Sequence, residues 1–426
     1  MRELKRIQPA VFKISTPDIP GTRSLKLDNG IPVFLIESGT EDVMRIDFTF
    51  KAGQIKEYLP LLAQATNLML KEGSENYKSL EMNRLIDYYG SYINLYTEKD
   101  IAGLMIYLLN KHTEKLLELC REMLFRPVFP EDELAALMKK QVRWFQIRKK
   151  KVQNLAMDQF FESIFGKTHP YGIKPIETDF ERKRSIMLRD FHSKYYRPEN
   201  MAIIASGRFP VNIEKLLNSF FGNIRLSEVY IEEPGSILKS GRNKRVHIEH
   251  DGSVQTSIKI GSRTINKTDP DYPGLKIVDT ILGGYFGSRL MKNIREEKGY
   301  TYGINSYATS LEESGYKVIS TDVGIEHTQN AIDEIIKEIG LLQTVPVGKE
   351  ELATAKNYLL GELVRMFDGP FASADSFKAA WEFGLDNNYY LGFFEKVKSI
   401  SPDEIMNLTT KYYKIADLYI ITAGTL

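Results

Sequence analysis

Cysteine is almost absent from this chain, because Cys120 stands alone among 426 residues. No disulfide can form within the chain, so we expect a reducing compartment and predict a cytoplasmic location. Cys120 lies in the apolar helical pattern LLELCREML, with no catalytic partner beside it. We therefore interpret this cysteine as a small buried hydrophobic residue rather than a nucleophile.

A dominant charge of either sign is also missing, since 57 lysines and arginines face 56 aspartates and glutamates. The net charge of +1 argues against a dedicated nucleic-acid or polyanion binder. The one concentrated basic run, at 148–151, falls inside a long helical pattern and indicates a solvated face.

Long apolar runs are absent as well. No segment approaches the roughly 18 apolar residues that a membrane-spanning helix needs. Residues 1–24 carry charges but no apolar stretch of signal-peptide length. We predict a protein with no membrane span and no nucleic-acid partner.

What the sequence does contain is an internal repeat. The tripeptide Lys-Tyr-Tyr occurs at 194–196 and again at 411–413, an offset of 217 residues that also relates Gly207 to Gly424. Upstream, Glu-Leu-Ala at 133–135 matches Glu-Leu-Ala at 351–353 with an offset of 218. A period this long indicates a duplicated domain rather than a solenoid.

Each copy has the same coarse order of elements. Strand-like segments come first, then a helix, an aromatic strand pair, long amphipathic helices and a terminal β-run. This order predicts an α+β fold made of two duplicated α/β sandwich domains, each an antiparallel-rich sheet with helices packed on one face. We predict an N-terminal domain at 1–225, a linker at 226–241 rich in Pro, Gly, Ser and charge, and a C-terminal domain at 242–426.

The stretch from Gly283 to Tyr302, GGYFGSRLMKNIREEKGYTY, narrows the function most. Lys298 and Gly299 have the composition of a helix end, which separates Arg295 from the strand that Tyr302 enters. A guanidinium and a phenol placed in this way can converge on one carbonyl or oxyanion. The alternative is a surface arginine beside a half-buried strand tyrosine, and the residues alone leave both interpretations open.

In its order of motifs the chain resembles the M16 (pitrilysin-like) zinc metallopeptidases. The resemblance covers nearly the whole chain and includes Gly-Gly at 283–284, Ser-Arg-Leu at 288–290, Arg-Glu at 295–296, Gly-Tyr-Thr-Tyr at 299–302, Thr-His-Pro-Tyr-Gly at 168–172 and the segment YYRPENM. It is nearest to the short, two-subunit branch that includes the mitochondrial processing peptidases. In that family an arginine and a tyrosine seven apart contact the substrate backbone, and Arg295 and Tyr302 match this pair.

The zinc motif of that family, His-x-x-Glu-His, is not present. The family uses two histidines on one helix face as zinc ligands, the glutamate between them as the base, and a distant glutamate as the third ligand. The resemblance aligns these positions with Gln64, Asn67, Leu68 and, within a residue or so, Gln146. Two glutamines, an asparagine and a leucine make no zinc site, so we expect no catalytic residue and no metal on this chain.

Other catalytic sets give no convincing match. His247 and His250 are the only close histidine pair in the sequence, and they fall in a strand-like run in which residues three apart point to opposite faces. The other histidines, at 112, 169, 192 and 327, are scattered, and we interpret His169 as structural. No Walker loop, Rossmann fingerprint or Ser-His-Asp set is recognisable.

The resemblance leads to one main hypothesis and two alternatives. In the main one, this chain is the non-catalytic subunit of a heterodimeric zinc peptidase whose partner carries the zinc, and Arg295 and Tyr302 bind an unfolded peptide substrate. The first alternative is an inactive scaffold or peptide-binding protein, with a homodimer as its assembly. The second is a self-sufficient peptidase with an unrecognised site.

Overall fold

The architecture is two sheets that repeat one topology. The computed structural model describes residues 14–225, 238, 240, 241 and 243–425. Within these residues a six-stranded sheet has the order β1-β2-β6-β3-β5-β4, and a five-stranded sheet has the order β7-β11-β8-β10-β9. The strands are β1 Thr22–Lys26, β2 Pro32–Glu37, β3 Val43–Phe50, β4 Tyr92–Thr97, β5 Ala102–Leu109, β6 Met201–Gly207, β7 Arg245–Glu249, β8 Gln255–Thr264, β9 Thr301–Thr309, β10 Gly315–Gly324 and β11 Tyr419–Gly424.

Most helices follow the amphipathic segments of the sequence. They are α1 Leu62–Met69, α2 Ser79–Tyr88, α3 Thr113–Phe125, α4 Glu131–Lys149, α5 Val152–Phe165, α6 Glu177–Glu181, α7 Ser185–Tyr195, α8 Ile213–Phe221, α9 Tyr272–Asp279, α10 Thr328–Thr344, α11 Lys349–Arg365, α12 Pro370–Trp381, α13 Asn388–Ser399 and α14 Pro402–Tyr412. Two π-helical segments, Thr280–Gly284 and Met291–Glu297, lie between α9 and β9. No described helix has both the length and the apolar composition needed to cross a membrane.

Strand pairing confirms the duplication. β6 lies between β2, to which it is parallel, and β3, to which it is antiparallel, and β11 lies between β7 and β8 in the same senses. The repeat-matched glycines Gly207 and Gly424 end these two central strands, both with positive φ. The predicted α+β class with duplicated domains is therefore confirmed, and β1 is the one strand of the first sheet without a counterpart in the described part of the second half.

One face of each sheet carries the helices of its own half. In the first half, alternate residues such as Val33, Leu35, Ile203 and Ala205 join the core formed with α1, α3, α7 and α8. Cys120 is buried in this core, as the sequence predicted, and burial raises the pKa of its thiol above the ordinary value. The second half buries the matching face of its sheet beneath α9, α10, α11, α13 and α14.

The opposite face of each sheet is covered by a helix from the other half, which the sequence analysis did not foresee. Helix α12 packs on β2 and β6, where Phe377 and Ala374 contact Phe34, Ile36 and Ile204. The Phe34 and Phe377 ring centroids are 4.8 Å apart. Helix α12 therefore packs on the sheet of the opposite half as well as on the core of its own half, which includes Ala380.

Helix α5 makes the reciprocal contact. Its residues Val152, Ala156, Phe160 and Ile164 recur at the helical spacing of four and pack on the second sheet, which they meet at β8 and β11. The hydrogen bond from Gln153 Nε2 to Asp322 Oδ2, 3.0 Å long, adds a polar contact between the halves.

A cluster of charged side chains stabilises the contact between α12 and the first sheet. Arg45 in β3 is fully buried, and its Nε donates to Asp47 Oδ2 at 2.7 Å. The same guanidinium pairs with Asp375 on α12, while Lys378 Nζ lies 3.6 Å from Asp47 Oδ1. Removal of one ion from such a buried set leaves the others unpaired, which costs more than the set contributes net.

The predicted linker at 226–241 lies largely outside the described residues. Of its described residues, Gly241 donates its backbone N–H to Ser163 O at 2.7 Å, and Ser240 Oγ donates to Ile164 O. The end of the predicted linker is thus attached to the end of α5. The domain boundaries themselves stay a prediction.

Replacement of Phe377 by alanine should lower the free energy of unfolding by about 3 kcal/mol, because it leaves a cavity between α12 and the first sheet. Chemical denaturation followed by circular dichroism measures this change. The control is Tyr88→Ala, an equally large aromatic that is 80% exposed, for which we expect less than about 1 kcal/mol. Equal losses in the two variants would show that α12 does not support the first sheet.

Candidate functional site

The stretch from Gly283 to Tyr302 forms two irregular helical turns followed by a sheet-edge strand. The π-helical segment Met291–Glu297 ends at Lys298, and Gly299 follows with φ of +66°. This is the helix end that the sequence predicted, and its left-handed residue favours glycine. Gly283 is also required, because a Cβ there would lie 2.7 Å from Ser306 N.

The structure brings Arg295 and Tyr302 together. Arg295 Nε donates to the backbone oxygen of Tyr302 at 3.0 Å, which fixes the base of the guanidinium against the start of β9. The Tyr302 side chain is 91% exposed, and its hydroxyl has no partner among the described residues. The two terminal nitrogens of Arg295 likewise have no carboxylate partner in the described part of the chain. Both groups therefore have hydrogen-bonding capacity available at the surface.

Phe286 is a third member of this surface that sequence reasoning missed. The Arg295 guanidinium carbon lies 4.7 Å from the Phe286 ring centroid, a cation–π distance. Phe286 itself is 63% exposed. The available signal was the aromatic pair Tyr285-Phe286 between two glycines, nine residues before Arg295.

The loop that carries Phe286 is anchored on both sides. Arg289 makes a two-pronged ion pair with Glu351 of α11, at 2.7 and 3.0 Å. The rings of Tyr285 and Tyr358 stack with centroids 5.1 Å apart. Because α11 holds this loop at two points, the aromatic support beneath Arg295 is built into the fold.

The positions aligned with the zinc motif lie on or near α1. Gln64 is exposed and lines a cavity of about 360 Å³, together with Glu57, Lys99 and Arg148. Leu68 lies one turn further along the helix and is half-buried. Gln146 is exposed on α4 and does not line this cavity.

Asn67 has a structural role in the core. Its Nδ2 donates to Gly103 O and to Tyr196 Oη, both at 3.0 Å, and the side chain is fully buried. In the second half the repeat-matched Tyr413 bonds Asp279 on α9, the counterpart of α1. Asn67 therefore takes part in an interior hydrogen bond that has an equivalent in the second half, and its role is structural.

This donor set does not fit zinc. Leu68 offers hydrocarbon, the Asn67 side chain is buried in the core, and Gln146 does not line the cavity that Gln64 lines. The described residues contain no cluster of three or more His, Cys, Asp or Glu side chains able to hold a metal ion. His247 bonds Thr422 and Glu249 while His250 bonds Ser253, so the histidine pair does not converge either.

Two ions in the α1 cavity have displaced pKa values. Glu57 accepts hydrogen bonds from Ala63 N at 2.9 Å and Leu61 N at 3.1 Å, which caps α1. Burial nevertheless raises the pKa of Glu57 to about 7. Burial also lowers the pKa of Lys99 to about 8, although Glu57 opposes this shift. The cavity therefore contains a carboxyl and an amine that both titrate close to neutrality.

The Arg295 surface and the α1 cavity have no residue in common. Among the described residues, no hydrogen bond or ion pair links Arg295 or Tyr302 to any residue that lines the cavity. The first half thus contains the α1 cavity and the second half contains the Arg295 surface. Of the two, only the second has the residue types, an arginine and a tyrosine, that the M16 resemblance associates with substrate binding.

Comparison with known proteins gives the family. Residues 33–173 match the family model for Insulinase (Peptidase family M16), and residues 187–359 match that for the Peptidase M16 inactive domain. The chain belongs to peptidase family M16. Within that family it lacks the zinc motif, because His-x-x-Glu-His occurs nowhere in the sequence.

M16 relatives of similar sequence include both zinc proteases and an inactive homologue. The zinc protease YmxG of Bacillus subtilis is 24% identical over 301 residues, which cover 70% of this chain and 72% of the relative. The beta subunit of the mitochondrial-processing peptidase of Saccharomyces cerevisiae is 23% identical over 375 residues, covering 83% and 80%. A probable inactive metalloprotease of Bacillus subtilis, YmfF, is 24% identical over 174 residues, covering 39% and 40%.

Solved structures share the M16 fold over nearly the whole chain. A peptidase M16 inactive domain from Pseudomonas fluorescens superposes with a TM-score of 0.86 at 22% identity, covering 95% of this chain and 98% of that one. A protease from Helicobacter pylori also reaches a TM-score of 0.86, at 17% identity, covering 95% of this chain and 100% of that one. At these identities the likeness establishes the fold alone.

Asn67→Ala should destabilise the protein by about 1–3 kcal/mol, because Gly103 O and the Tyr196 hydroxyl lose a buried partner. Gln64→Ala on the same helix should change stability by no more than about 0.5 kcal/mol, since Gln64 is exposed. Equilibrium urea unfolding of both variants measures the difference. A large loss for Gln64→Ala with little loss for Asn67→Ala would contradict the inward orientation of Asn67.

Glu57 should make stability fall as pH rises. Its folded pKa of about 7 lies above the ordinary value of 4.5, so the folded state holds the proton more tightly. This stabilisation is complete below pH 4.5 and is lost as pH rises through 7. Between pH 5 and pH 8 wild type should therefore lose about 2 kcal/mol more unfolding free energy than Glu57→Gln. Parallel pH profiles would argue against the raised pKa.

Proposed function

We propose that this chain is the non-catalytic subunit of a heterodimeric M16-type zinc peptidase. One observation carries the proposal: Tyr302 is exposed beside a half-buried Arg295 whose terminal nitrogens have no carboxylate partner among the described residues, while Gln64 and Asn67 offer an exposed amide and a core contact. A homologue of similar length with the intact motif would supply the zinc. The two chains together would enclose the peptide.

Arg295 and Tyr302 would act on the peptide backbone. The terminal nitrogens of Arg295 and the Tyr302 hydroxyl can each donate to a peptide carbonyl, because their only described contacts are on the Nε and ring sides. A donor aimed at an oxyanion is worth about 2–4 kcal/mol in other enzymes, and Tyr302 would have this role at the partner's metal.

Unfolded peptides are the substrate class that the sheet edges support. Among the described strands, β9 and β4 are edges of their sheets, so each has one side open for an added strand. β9 begins at Thr301, directly beside Arg295, and β4 ends at Thr97, which lines the α1 cavity. A peptide that adds to such an edge needs an extended conformation, which an unfolded chain adopts readily.

The relatives support both a partner role and its alternative. The yeast relative is named as one subunit of a processing peptidase, which supports a subunit role here. The Bacillus relative named as an inactive metalloprotease is compatible with a scaffold that takes no part in proteolysis. Retention of Arg295 and Tyr302 on a supported, exposed surface favours the peptidase subunit. The cytoplasmic location remains a prediction.

Co-expression with a zinc-motif M16 homologue from the same genome tests the proposal. The complex should cleave an unfolded peptide, and Tyr302→Phe should lower kcat by about 100-fold because an oxyanion donor is lost. Arg295→Ala should lower kcat/KM through weaker peptide binding. Tyr88→Phe is the matched control, because Tyr88 on α2 is also an exposed tyrosine, and this variant should leave the rate unchanged.

Two outcomes would reject the subunit role. In one, the complex forms and Tyr302→Phe and Arg295→Ala cleave as fast as wild type. In the other, the purified chain is a stable homodimer that does not associate with the zinc-motif homologue, which would favour the scaffold. Stoichiometric zinc on the isolated chain would instead support a self-sufficient peptidase.

A further inference from the structure

The second half contains a basic cleft that neither the Arg295 surface nor the α1 cavity explains. It encloses about 510 Å³ between the end of β8 and the segment that joins α14 to β11. Its charged lining consists of Lys244, Arg263, Lys411, Lys414 and a single carboxylate, Asp417. Four cationic side chains therefore line one cleft, although the net charge of the whole chain is close to zero.

Only half of this charge is neutralised by the protein. Lys411 pairs with Asp271 at 2.7 Å, and Lys244 lies 3.3 Å from Asp417. Arg263 and Lys414 have no side-chain hydrogen bond or ion pair with any described residue. Unpaired cations on an open convex surface are ordinary, but two within one cleft raise the local potential and attract an anion.

The internal duplication allows Arg263 and Lys414 to be compared with the equivalent residues of the first half. Strand register matches Gly261 with Thr49, since each faces the start of the central strand, and Arg263 therefore corresponds to Lys51. The 217-residue offset likewise matches Lys414 with Arg197.

Both first-half counterparts are ion-paired. Lys51 Nζ lies 3.4 Å from Glu312, and Arg197 lies 3.3 Å from Glu199. The residue that corresponds to Glu199 in the second half is Ala416, which carries no charge. The second copy thus keeps both cations and lacks a carboxylate that would neutralise them.

Hydroxyl groups complete the cleft. Thr264 Oγ1 is buried without a hydrogen-bond partner, although Thr264 lines the cleft beside Arg263. Ser262 Oγ, also in the lining, accepts a hydrogen bond from the buried Lys317 Nζ at 2.6 Å and donates to Arg263 O. An orphan hydroxyl costs free energy unless something bonds it, and a rotation of the Thr264 side chain towards an anion bound between Arg263 and Lys414 would give it an acceptor.

We propose that this cleft binds a small anion through a phosphate group. A phosphate offers several acceptor oxygens around one centre, which suits the cations that line the cleft on β8 and on the α14–β11 segment. The site is concave and bounded, so it fits a compact ligand better than an extended acidic chain. The inference is independent of the proposed peptidase role, because no residue of the cleft belongs to the Arg295 surface or the α1 cavity.

Isothermal titration of the full chain with inorganic phosphate, pyrophosphate and a phosphomonoester such as glycerol phosphate tests the proposal. Ionic strength is held constant, because exposed charges are screened by salt. Wild type should bind at least one of the three, and Arg263→Gln/Lys414→Gln should bind it about ten-fold more weakly or not at all. Thr264→Val should weaken binding with both cations intact.

Lys51→Gln is the matched control, since it removes the repeat-equivalent cation from the first half and should leave binding unchanged. Phosphate binding with pyrophosphate no tighter would identify a site for a single phosphate, and tighter phosphomonoester binding would identify an organic phosphate ligand. Equal binding by Arg263→Gln/Lys414→Gln and wild type would overturn the proposal. So would a wild-type chain that binds none of the three phosphates, and binding of a glutamate-rich peptide in that case would identify a site for an acidic chain instead.

Discussion

The exchange of α5 and α12 between the two halves is the contact on which the rest of the structure depends. Each sheet has two apolar faces, and each half supplies enough helix to cover only one of them. The second face is buried by a helix from the other half, as with Phe377 of α12 against Phe34. Neither half therefore completes its own core, and the two sheets are held as one body by packing and by the Arg45 ion cluster.

This arrangement explains how the two sites can diverge separately. Arg295 and Tyr302 depend on the second half, where α11 anchors the loop beneath them through Glu351 and Tyr358. The α1 cavity depends on the first half, where Glu57 caps the helix. Gln64, Asn67 and Leu68 of α1 make no described hydrogen bond with the loop that supports Arg295, so that support does not depend on them.

Comparison of the two copies also distinguishes the residues that packing requires from those that belong to a single site. Tyr196 and Tyr413 occupy equivalent buried positions, and each bonds a polar side chain on the first helix of its half, Asn67 or Asp279. That interior contact is retained in both copies because a buried hydroxyl needs a partner. Surface ions are free to change, as Ala416 in place of a glutamate shows.

The sequence by itself determined the repeat, the α+β class, the helix end at Gly299 and the loss of the zinc motif, because spacing and residue type carry those features. It did not reveal the exchanged helices, since Val152 and Phe377 are apolar at helical spacing whichever sheet they cover. Nor did it reveal the inward orientation of Asn67 or the Phe286 ring beneath Arg295, because neighbours distant in sequence decide both. Only the tertiary structure selects which apolar faces meet, and here it joined each helix to the sheet of the opposite half.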